Sequence, residues 1–148
     1  MRSFKEYQED HDYVRSVGII TAHNPYGVKQ SSANNYDSNR RLLDDLREIS
    51  TATSSTQGFY AGHQEHAFLA TNITRSQLLE LAVKYNQQAV IFGFLRENPV
   101  SFHFQYINKG VTTNQRIVPI PLLEIKSSQG FLQAIKKGII KIPEFQPT

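Results

Sequence analysis

The 148-residue sequence has no cysteine and no tryptophan. Without cysteine, disulfides, thiolate zinc sites and a cysteine nucleophile are excluded, and a reducing compartment suits the chain. Long apolar runs are also missing. Nothing approaches the roughly 20 residues that span a bilayer. Met1–Asp12 is charged and has no apolar signal-peptide core, so the expectation is a cytoplasmic protein with no membrane partner. There is no G-x-S-x-G elbow, no Walker loop and no G-x-G-x-x-G, so those catalytic and phosphate-binding templates do not apply. No repeat, long linker or compact Lys/Arg run is present.

What the sequence does contain is ordinary core material. Apolar residues make up 39% and charged residues 20%, with nine Phe and seven Tyr, which is enough for a packed core and too little charge for disorder. The length fits one domain, 1–148, with a core over about 13–95 and an extension over about 98–142. Net charge is +3, and the surplus lies in the extension, which includes Lys126, Lys136, Lys137 and Lys141. A basic surplus attracts nucleic acid or acidic partners, or is simply a solvated face.

Apolar patterning and turn residues predict the elements. Tyr13–Ala22 reads as a strand with a doubly buried Val17–Ile20 run, broken by Asn24–Gly27. A helix follows over about Asn35–Ile49, capped by Asn34, with Leu42, Leu43, Leu46 and Ile49 as its stripe. Ser50–Thr56 reads as a flexible loop. Strands over Gln57–Ala61 and Glu65–Asn72 form a hairpin that turns near Gly62 and His63. Thr74–Gln77 is a capping box opening a helix over Arg75–Tyr85.

Ala89–Leu95 and Val100–Ile107 read as strands, turned by Glu97–Pro99. After a turn at Asn108–Gly110, Arg116–Ile125 reads as an edge or bulged strand because it holds Pro119 and Pro121. Ser127 or Ser128 caps a last helix that stops at Gly138, and Pro143–Thr148 is a loose tail. The class is α+β: a ferredoxin-like β-α-β-β-α-β core with two further strands and a C-terminal helix.

One constellation stands out. At 100° per residue, Asn35 and Leu43 lie about 40° to either side of Asn39, with Leu46 between, so both asparagines sit in the apolar stripe and face the sheet. A buried unpaired amide costs about 1–3 kcal/mol, so they need partners. Thr21, His23, Asn24 and Ser32 are the nearest polar supply. Strand end, loop and helix start therefore converge on one polar pocket. It serves either as a ligand site at a helix N-terminus, with Arg40 or Arg41 meeting an anionic group, or as a self-satisfied network pinning the loop.

His23 and Glu65 are the candidates for acid–base work. His63 and His66 flank a turn without the H-E-x-x-H spacing, so no metal site and no cofactor is expected. Phe102, Phe104 and Tyr106 share one strand face, which is a core face or a base-stacking platform.

Thr21-Ala22-His23-Asn24-Pro25, Asn35 and Asn39 with Leu42 and Leu46, Glu65 with Phe68, and Gln87-Gln88-Ala89 together resemble the bacterial domain-of-unknown-function family numbered 3293. The resemblance covers about Val17–Phe92. It implies that Thr21–Pro25, Asn35, Asn39, Glu65 and Gln87 belong to one site. His23 stands where an aromatic such as Trp is usual, and Ala67 where Ser is common.

The functional expectation is a domain that binds a small polar or anionic ligand, a nucleotide or phosphorylated metabolite, and that can act as an enzyme. Thr21, Asn24, Asn35, Asn39, Arg40 and Gln87 are the ligand-binding set. The alternative is a non-catalytic module that binds nucleic acid or a partner protein through the basic C-terminal part.

Overall fold

The computed structural model describes residues 14–24, 28–60, 63–95, 101–107, 116–117 and 127–137. The expected breaks at Pro25–Gly27, Gly62, Glu97–Pro99 and Asn108–Gly110 lie outside them. So do the strand start at Tyr13, residues 118–125 of the edge strand, the stop at Gly138 and the tail.

The elements run β1 (Ser16–Ile20), α1 (Ser32–Ile49), β2 (Ala52–Tyr60), β3 (His63–Thr71), α2 (Arg75–Lys84), β4 (Ala89–Phe94), β5 (Ser101–Tyr106), β6 (Arg116–Ile117) and α3 (Ser128–Lys136). The α+β class stands. The strands form one six-stranded sheet in the order β2-β3-β1-β4-β5-β6, and every neighbouring pair is antiparallel.

The short apolar run of β1 is central. All five of its residues are buried, between β3 on one side and β4 on the other. Alternation along the strands sends side chains to two cores. Ile20, Phe68, Ala70, Val90 and Phe92 meet Leu42 and Leu46 of α1 and Leu78, Leu81 and Ala82 of α2. Val17, Ile19, Ala67, Leu69, Ala89, Ile91 and Phe102 meet Phe131 and Ala134 of α3 on the other face. Gly18 permits the close approach of α2, because a Cβ there would lie 2.8 Å from Ile73 Cγ2 and 3.0 Å from Leu78 Cδ1.

Two expectations are corrected. The Ser/Thr-rich stretch is not a loop: residues 52–56 belong to β2 and pair with residues 67–71 of β3. Thr is a good strand former, and a continuous partner strand outweighs the local polarity. The first helix begins at Ser32 with Ser31 as its cap, the Ser31 hydroxyl accepting from the Asn34 N–H; Asn34 itself lies within the helix. The capping box of α2 forms as expected, Thr74 and Gln77 each accepting from the other's backbone N–H at 3.1 and 3.0 Å. Ser127 caps α3 by accepting from the Gly130 N–H at 3.0 Å.

Candidate functional site: the junction of β1 and α1

The chain leaving β1 is held from three sides by side chains that sequence reasoning had grouped. Thr21, 3% exposed, donates its hydroxyl to the His66 carbonyl on β3 and accepts the His23 N–H at 3.0 Å. Asn39 Oδ1 accepts the Ala22 N–H at 2.8 Å. Gln87 Nε2, from the turn before β4, donates to the His23 carbonyl at 3.2 Å and to the Tyr85 carbonyl at 3.1 Å. Residues from β3, α1 and the turn before β4 thus converge on Thr21–Asn24.

Asn35 closes the loop behind it. Its Oδ1 accepts from the Asn24 N–H and from Gln30 Nε2, both at 2.8 Å. Its Nδ2 donates to Asn24 Oδ1 at 3.0 Å and lies 3.4 Å from His23 Nε2 and from the Gln30 carbonyl. Asn24 Oδ1 also takes the Gln30 N–H at 3.1 Å. Asn24 itself has φ 45°, a left-handed conformation that asparagine tolerates better than most residues. Because the Asn24 backbone N–H can only donate, the Asn35 oxygen is fixed toward it and the amide nitrogen toward His23. His23 Nε2 is then an acceptor, which puts the proton of the neutral ring on Nδ1. The His23 pKa is lowered, first by burial and then by neighbouring His66, which favours that neutral ring.

The sequence-derived set therefore divides. Asn24 and Asn35 occupy one another, and Thr21 and Gln87 hold backbone groups. Asn39 is 7% exposed and uses its oxygen, while its Nδ2 has no protein partner among the described residues. Among those residues no fully buried side-chain nitrogen or oxygen lacks a partner, so this free donor reaches solvent. Arg40 is solvent-exposed and makes no hydrogen bond into the cluster. Gln30, which sequence reasoning did not single out, is a hub of the network; its signal was an amide five residues ahead of Asn35, within side-chain reach.

Glu65 and His23 are not joined by a hydrogen bond or ion pair among the described residues. Glu65 shares a face of β3 with Ala67 and Leu69, the α3 side, whereas His66 shares the opposite face with Phe68, whose ring centroid is 4.9 Å from its own. Glu65 is 8% exposed and its carboxyl makes no hydrogen bond among the described residues. Burial alone pushes its pKa up to about 7.

Ala67, where the family resemblance expects Ser, is fully buried in the α3-side core and offers no hydroxyl there. Among the described residues no group of three His, Cys, Asp or Glu is placed to hold a metal ion. In the same residues no helix is long and apolar enough to cross a membrane.

Residues 20–90 match the model of the family described as Protein of unknown function (DUF3293), a span that includes every residue of the resemblance from Thr21 to Gln87. No curated protein and no solved structure matches the chain.

Proposed function

Taking that family match as the premise, with a description that names no reaction, we propose that the β1–α1 junction binds a small polar ligand through an anionic or carbonyl oxygen, as a nucleotide or phosphorylated metabolite would offer. The observation that carries this reading is Asn39: a nearly buried amide whose oxygen is committed to the Ala22 N–H and whose nitrogen is a solvent-reached donor with no described partner. Leaving a donor unmatched in such a place costs about 1–3 kcal/mol unless water or a ligand meets it. His23, one residue beyond the Ala22 that Asn39 holds and with its ring against Asn35, is a second polar group at the same loop. In this reading Thr21, Asn24, Asn35 and Gln87 are positioning residues that hold the receiving loop, and Arg40 contributes only long-range positive charge.

Glu65 supports an added acid–base role, because a buried carboxyl with a pKa near 7 exchanges its proton at working pH. The competing nucleic-acid reading gains little from the sheet. Phe102 is fully buried against α3 and gives no platform for stacking.

A thermal-shift panel of nucleotides, sugar phosphates and a short RNA, run on wild type and on Asn39→Asp, tests the proposal. The substitution keeps an oxygen for the Ala22 N–H and removes the free donor. A ligand present at about 100 times its Kd stabilises by roughly 2.7 kcal/mol. The expected result is a hit in wild type that disappears in Asn39→Asp. A hit of equal size in both proteins refutes the site. A response only to RNA, falling steeply with salt, replaces it with the nucleic-acid reading.

A further inference from the structure

A polar recess adjoins the junction and shares Gln30 with its network, but is otherwise lined outside the family-motif residues. It is a cleft of about 580 Å³ between α1 and the end of α2, lined by Gln30, Ser38, Arg41, Asp44, Lys84 and Asn86, with Asp45 and Tyr85 at its wall. A volume of this size lies within the range of small-molecule sites, about 300–1,000 Å³. Its lining, unlike most such sites, is mainly polar and charged.

The polar groups of this cleft are unequally occupied. Asp45 Oδ2 takes the Lys84 ammonium at 2.8 Å and the Tyr85 hydroxyl at 2.6 Å. Burial raises its pKa, but those two hydrogen bonds outweigh burial and hold the carboxyl below its ordinary value. Asp45, Lys84 and Tyr85 are thus a finished wall. Arg41 makes no hydrogen bond or ion pair among the described residues, although its charge reaches Asp45 and Tyr85. Ser38 is 9% exposed and its hydroxyl has no partner among the described residues. Asp44 is exposed and likewise unpaired there.

We propose that this cleft binds a free α-amino acid with a polar side chain, its carboxylate on Arg41 and the Ser38 hydroxyl and its ammonium on Asp44. The charges left over by the Lys84–Asp45 pair are one positive and one negative, so a net-neutral zwitterion complements them where an anion alone leaves Asp44 unmatched. Arg41 and Asp44 are three residues apart on α1, which brings their Cβ atoms to about 5–6 Å. That spacing suits the adjacent carboxylate and ammonium of one amino acid. Gln30 Oε1, left over when its Nε2 donates to Asn35, and the Asn86 amide suit a polar side chain over an apolar one.

The test uses L-glutamine as the probe, followed by backbone amide NMR on the full chain. Saturable shifts are expected at Ser38, Arg41, Asp44 and Asn86. N-acetyl-L-glutamine, which has no ammonium, and L-glutaminamide, which has no carboxylate, are each expected to bind at least tenfold more weakly, about 1.4 kcal/mol. Arg41→Gln, at an exposed helical position, is expected to weaken L-glutamine by about the same factor while leaving the melting temperature unchanged. Ser38→Ala is the second variant, since alanine is a strong helix former, and a severalfold loss is expected. The inference is overturned if L-glutamine gives no saturable shift, if the blocked compounds bind as tightly, if Arg41→Gln binds normally, or if the shifts are confined to Asn39 and His23.

Discussion

Asn35 and Asn39 occupy the same face of α1, yet their polar atoms are used to different extents. Asn35 is filled by the loop residues Asn24 and Gln30, and only Asn39 keeps a free donor. Their inward direction was legible in the sequence, because two asparagines inside a leucine stripe need partners. Which of the two would be satisfied was not, since that depends on Gln30 and on the left-handed turn at Asn24.

Arg40 shows the same limit at one-residue resolution. Sequence reasoning put a cation near the first turns of α1, but Arg40 faces solvent while its neighbour Arg41 lines the cleft. The far wall of that cleft comes from the end of α2, which no local pattern could supply.

Glu65 gives a pH-dependent prediction at this scale. The unfolded carboxyl ionises near 4.5, the folded one near 7. An acid with a raised folded pKa costs nothing below pH 4.5, costs progressively more up to about pH 7, and a constant amount above that. The full cost is about 3 kcal/mol. Glu65→Gln is therefore expected to gain stability over wild type as pH rises through this window. Paired chemical denaturation at several pH values checks it, and a stability difference that does not change with pH would contradict the buried, unpartnered carboxyl.

At the level of elements, the starts of α2 and α3 were readable, whereas α1 begins at Ser32 with Ser31 as its cap and not at Asn35 with Asn34. Thr74 and Gln77 form the reciprocal cap that their spacing demands, and Ser127 caps α3. Caps are local chemistry, complete within four residues, so no tertiary partner is needed to foresee them. The strand at residues 52–56 was hidden for the opposite reason. Its Ser and Thr residues form a strand because β3 lies beside them. Just before it, the Thr51 hydroxyl is 2.8 Å from those of both Thr71 and Ser128, tying the start of α3 to the β2–β3 end. Thr74→Ala is expected to cost about 1 kcal/mol through the lost cap, measured by urea denaturation with an unchanged m-value.

For the whole molecule, the α+β class was legible in the sequence, but the face each helix covers was not. The apolar residues of β1 and β4 point both ways, and alternation alone does not say that α1 and α2 share one side while α3 takes the other. This arrangement makes α3 part of the core despite its place in the basic C-terminal extension. Phe131→Ala, at a fully buried position, is expected to destabilise the protein by about 3–5 kcal/mol, the usual range for emptying a buried aromatic site. A loss under 1 kcal/mol in equilibrium unfolding would mean that α3 is not packed on the sheet in solution.

The central position of β1 carries a consequence for how binding can be read. Both edges of this strand are paired and both of its faces are covered, so its amides have no local route to solvent. Hydrogen exchange at Gly18 and Ile19 should proceed only through complete unfolding, at a rate set by global stability. The same strand runs directly into Thr21 and the loop of the proposed site. A compound held only at the junction, touching no residue of β1, would therefore slow exchange at Gly18 in proportion to its binding free energy, making the middle of the sheet the gauge for events at its end.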